Sequence, residues 1–85
     1  MPGRTDPVSA HARVLDVDAD VLAECAARLR RLAVRLRTHD AAPPWLYQTL
    51  NDHITACAVA SADLTDAARR LHEYAEAVTA DDTAR

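Results

Sequence analysis

The chain has 85 residues and a net charge of −3 at pH 7; 49% of it is hydrophobic, yet only 4% is aromatic and phenylalanine is absent. A chain this short is one domain at most and buries only about 60–65% of its unfolded surface. A core built on large rings is excluded. The acidic balance argues against nucleic acid as the main partner. Alanine carries much of the hydrophobic content and glycine occurs once, at Gly3, a composition that favours long, closely packed helices over a sheet.

No run of about 18 apolar residues exists, so no membrane span is expected. The first twenty residues are acidic and interrupted by Pro2 and Pro7, with no apolar stretch of the kind a classical signal peptide needs. Residues 1–17 read as an N-terminal arm. Asp6-Pro7 is compatible with a short helical piece, and Val14, Leu15 and Val17 with an extended one.

The first helix is predicted over residues 19–38. Asp18 is a suitable N-cap, and Val17 and Leu22 occupy the places of a hydrophobic staple. The ladder Leu22, Cys25, Leu29, Leu32 and Leu36 alternates steps of three and four. Pro43-Pro44 forbid its continuation.

The second helix is predicted over residues 44–78, with a polar tail at 79–85. One seven-residue row holds Leu50, Cys57, Leu64, Leu71 and Val78. A companion row is read as Leu46, His53, Ala60, Ala67 and Tyr74. Together they form a seam for packing against other helices. The short connection makes the two helices antiparallel. With the turn centred near residue 41, residues whose numbers sum to 82 lie level. The first helix then stops short, and Leu64, Leu71, Tyr74 and Val78 overhang it. The fold class is therefore all-α: an antiparallel two-helix hairpin over 18–78, whose overhanging residues either the arm or a second chain must cover. The interface residues are Leu50, Cys57, Leu64, Leu71, Tyr74 and Val78.

Chemistry is sparse. His11, His39, His53, His72 and the two cysteines never fall at metal-ligand spacing. The pairs Asp63/Asp66 and Asp81-Asp82 lie on an outer helix face and a tail, without the cleft that acid–base catalysis requires. No cofactor, small-molecule substrate or enzymatic activity is expected. Arg28, Arg30, Arg31, Arg35 and Arg37 make a basic face with no acid between them. It reads as a solvated face or the complement of an acidic partner, since no aromatics interleave to stack bases. Cys25 and Cys57 sum to 82 and fall level across the hairpin. In oxidising surroundings they would form a disulfide; in cytosol they would remain two thiols.

The residues carry one likeness. Val17-Asp18 followed by Leu22, Ala26, Leu29, Leu32-Ala33 and Leu36 resembles the first helix of small actinobacterial type VII (ESX) secretion proteins, the EspC-like group, with the WXG hairpins as cousins. Leu64-Thr65-Asp66-Ala67-Ala68-Arg69-Arg70-Leu71-His72-Glu73-Tyr74 resembles that group's close of helix 2. Trp45 stands just after the turn, as the cousins' Trp does, and would pack at the hairpin tip. Two departures are plain. Leu46 and Tyr47 follow Trp45, so there is no W-x-G, and Val78 occupies the acidic place of a Tyr-x-x-x-Asp/Glu export signal.

The resemblance covers about residues 14–82. It implies a non-enzymatic hairpin that dimerises into a four-helix bundle, pairing with a second hairpin or a larger secreted effector, cytoplasmic before export by a type VII route. Two other readings stay open: a cytoplasmic adaptor or antitoxin-like protein, and a nucleic-acid-associated protein using the arginine face.

Overall fold

The computed structural model describes residues 5–39 and 42–84. Two helices, α1 (Thr5–Arg37) and α2 (Pro44–Ala84), pack along their lengths into a rod of 67 × 15 × 13 Å. The described residues contain no strand. Side-chain hydrogen bonds cross the pair from Tyr47 to Leu36, from Ser61 to Ala19 and between His72 and Asp16. The α2 numbers rise as the α1 numbers fall, so the helices are antiparallel. The hairpin expected from the hydrophobic pattern is the fold of the chain.

Helix α1 is much longer than the pattern suggested. It begins at Thr5 rather than residue 19, so residues 5–17 are helix and not a flexible arm; residues 1–4 lie outside the described part. Pro7 sits in the first turn, where a backbone N–H has no intrahelical acceptor to lose. Asp18 is an exposed mid-helix residue rather than a cap. The vanished overhang follows directly. Leu64, Leu71 and Val78 are half-buried against the N-terminal half of α1. Helix α2 likewise runs past Val78 to Ala84, through most of the expected polar tail; Arg85 and the centre of the turn, Asp40-Ala41, lie outside the described residues.

The C-terminus of α1 is closed locally. The Thr38 amide and hydroxyl both donate to the Arg35 carbonyl, at 3.2 and 2.7 Å, and the His39 amide donates to that of Leu36 at 3.0 Å. These bonds satisfy carbonyls that the helix end leaves without partners.

The seam explains why the helices stay together. On α1, Ala12, Ala19, Ala26 and Ala33 repeat every seven residues and are all buried, Ala12 at 0% and Ala26 at 1% exposure. A second row of the same period, Val8, Leu15, Leu22, Leu29 and Leu36, is half-buried beside them. On α2, Leu50 is buried, and Cys57, Leu64, Leu71 and Val78 are half-buried.

The companion row on α2 is not the expected one. Tyr47, Ile54, Ser61, Ala68 and Ala75 face inward, with Ala68 and Ala75 buried, whereas His53 and Tyr74 are exposed. The inner row contains two hydroxyls that reach the opposite backbone. Ser61 Oγ donates to the Ala19 carbonyl and Tyr47 Oη to that of Leu36, each at 2.8 Å. Those donors fit where the helices touch, and the row that holds them turns His53 and Tyr74 outward.

Among the described residues no large side chain is fully buried. Small residues let helix axes approach toward the lower end of the usual range of about 8–10 Å, and the backbones then meet with the leucines stacked along the edges. Leucine in place of Ala26 should force the helices apart. We expect Ala26→Leu to cost about 1–3 kcal/mol in denaturant unfolding. An unchanged unfolding midpoint and slope would show that the alanine row does not set the spacing.

Candidate interaction surface

An antiparallel hairpin has two flat faces, each built from both helices. On one lie Ser9, Asp16 and Arg30 of α1 with Asn51, Thr65, His72 and Thr79 of α2. The His72–Asp16 link of 2.9 Å crosses this face, and Ser9 shares a groove there with His72 and Thr79. On the other lie Val14, Val21, Cys25 and Leu32 of α1, with Ala60, Ala67 and Tyr74 of α2. Tyr74 and Val8 border a common groove on that side, and Cys25 meets Cys57 there. The first face is polar; the second, the more apolar one, also carries His11, Asp18, Arg28 and Arg35 of α1 and His53 of α2 by the same seven-residue phase. Val14, Val21 and Tyr74 are each more than half exposed on the apolar one.

Val17 continues the apolar character onto the back of α1. Ala10, Val14, Val17 and Val21 form an outward stripe at helical spacing, and Arg13 and Asp18 flank it. All of this stripe but Val21 lies within the segment expected to be an arm. Its seven-residue spacing was readable in the sequence, but only once residues 5–17 are helical.

The expected interface residues divide accordingly. Leu50, Cys57, Leu64, Leu71 and Val78 line the seam inside the hairpin and are occupied by α1. Tyr74, 58% exposed, belongs to the outer apolar face. Trp45 does not pack at the tip. It is the second residue of α2, points away from the seam and is 65% exposed. Tyr47 ties the tip together instead, through its bond to Leu36.

Charges are arranged along the outer surfaces. Glu24, one turn before the basic face, approaches Arg31 at 3.6 Å and Arg28 at 3.9 Å. Among the described residues no acid meets Arg30, Arg35 or Arg37. Arg30, Arg31 and Arg35 surround the exposed Val34 in a shallow, open depression. Exposed pairs of this kind contribute little stability.

On α2, Arg69 bridges Asp66 and Glu73, the latter at 2.8 Å, and Arg70 adds a contact to Asp66 at 3.1 Å. The hydrogen bond from Arg69, aided by the positive charges of Arg70 and Arg69, holds the Asp66 carboxyl below its ordinary 3.8, against an opposing effect of desolvation that exceeds either charge alone. The same bond raises Arg69 above its ordinary value, with Glu73 adding to the effect.

The two cysteines lie together across the seam as free, half-buried thiols. Desolvation first, then a hydrogen bond and charge interaction with Cys25, raise Cys57 above the ordinary thiol value of 9.0. The described residues hold no cluster of three or more histidine, cysteine or acidic side chains able to bind a metal. No described helix is long and apolar enough to cross a membrane.

Asp66 supplies a pH test. Its folded-state value is depressed, so its stabilising effect is present above the ordinary carboxyl value and is lost as pH falls through the folded value. An NMR titration should place its midpoint below 3.8, and Arg69→Gln should return it toward that value. A midpoint at or above 3.8 in the native chain would contradict the Asp66–Arg69 geometry.

The chain matches no family model, and comparison with curated proteins and with solved structures gives no match either.

Proposed function

We propose that this hairpin is a non-enzymatic pairing protein, which docks its apolar face on a second helical protein in the manner of small type VII secretion hairpins. The observation that supports the reading is the imbalance between the two flat faces. Val14, Val21 and Tyr74 stay exposed on one side of a hairpin whose own seam is already complete. Burying a large apolar side chain fully is worth about 1.5–3 kcal/mol, so a partner covering three of them gains a substantial driving force. The partner is a second hairpin, of this chain or another, or a helical segment of a larger effector.

The export branch rests on the resemblance alone. Val78 occupies the acidic place of the expected export signal and is half-buried in the seam, which favours a companion that leaves with a signal-bearing partner. An adaptor or antitoxin-like protein would use the same face without export. Detection of the chain in culture medium separates the two.

Copurification from the native host, with the intact complex weighed, should give this chain bound to a second helical chain or copy. Val21→Asp and Tyr74→Asp should each release the partner while leaving the helical circular dichroism unchanged. A monomer both in isolation and from the host, or a complex indifferent to both substitutions, would overturn the pairing reading. Binding to duplex DNA that weakens steeply with salt would instead favour the arginine face as the working surface.

A further inference from the structure

Cys25 and Cys57 occupy a position unlike any other on the seam. They stand between the two places where a hydroxyl of α2 grips the backbone of α1. Ser61 donates to Ala19 on one side, and Tyr47 to Leu36 on the other, both at 2.8 Å. Next to Cys25, Ala26 is buried at 1% exposure. Between two such grips, and with alanine at the contact, the backbones have little room to separate. Between those two grips the antiparallel register sets Cys25 level with Cys57, and both residues are half-buried, still partly open to solvent. A small oxidant can therefore reach a pair that is already aligned.

We propose that Cys25 and Cys57 are a redox site, at which an external low-molecular-weight disulfide converts the two thiols into an intrachain staple between α1 and α2. The Cys25 thiolate attacks the external disulfide, forming a mixed disulfide and releasing one small thiol. Cys57 then loses its proton and attacks the Cys25 sulfur, expelling the second small thiol. Two electrons pass from the cysteine pair to the external disulfide, and one S–S bond breaks for each one formed. Desolvation raises Cys57 above the ordinary thiol value, so Cys57 is the weaker opening nucleophile. The staple closes a loop of about 30 residues spanning the turn, in the range where the chain-entropy model gives a large effect. The proposal is independent of the pairing partner, because the bond lies within one hairpin.

The full-length chain is incubated with oxidised glutathione at pH 8 and then alkylated in denaturant without reductant. The expected product has lost two hydrogen atoms, carries neither glutathione nor alkyl groups, and melts at least about 10 °C higher than the reduced chain. Dithiothreitol should restore the original melting temperature. Cys57→Ala should stop at one glutathione on Cys25, and Cys25→Ala should react more slowly. A mixture of the two single variants should give no cross-linked dimer. Stable glutathione adducts on the native chain, a dimer in the mixed-variant experiment, or a staple that leaves the melting temperature unchanged would each overturn the proposal.

Discussion

The close approach of two helices over a seven-residue row of alanines is the constraint on which this structure depends. Ala12, Ala19, Ala26 and Ala33 contribute little apolar area individually, but they let the backbones come near enough for Ser61 to reach the Ala19 carbonyl. The leucine rows then lie beside the contact rather than within it. A strict repeat of seven in both helices is the pattern of a left-handed supercoil. It leaves a hairpin in which no large side chain among the described residues is fully buried, so its helices depend on each other along the seam.

The same geometry sorts the surface. Once the inner rows of both helices are fixed, every other position falls on the polar face, the apolar face or the back. His72 and Asp16 meet because both fall on the polar face. The cysteines meet because they fall at one level toward the apolar side. The arginines from Arg28 to Arg37 lie in the turn half of α1, and the bridged cluster around Arg69 in the open half of α2. A partner that covers the apolar face would therefore meet different charges at the two ends of the rod.

Much of this was legible in the sequence. The proline pair marks the break, and Leu22–Leu36 and Leu50–Val78 give both helices and their antiparallel order. Two features were harder. Residues 5–17 carry Pro7 and three valines, which taken locally resemble a poor helix; the decisive signal is that Val8, Ala12, Leu15 and Ala19 extend the two inner rows without a change of phase. The companion row of α2 was read one residue out of phase: Tyr47, Ile54, Ser61, Ala68 and Ala75 carry the inner face, and an alanine surface opposite them suits small residues and hydroxyls that can reach a backbone. Trp45 was misplaced for a related reason: its position after the turn suggested packing, while its phase on α2 directs it outward.

Hydrogen exchange at the open end tests the full-length seam most directly. If α1 pairs with α2 from Val8 onward, the backbone amides of Ala12 to Val17 should be protected to a degree comparable with those of Leu22 to Arg35. Exchange of Ala12–Val17 at the rate of an unfolded chain, with Leu22–Arg35 still protected, would contradict the account and return the N-terminal third of the chain to the status of an arm.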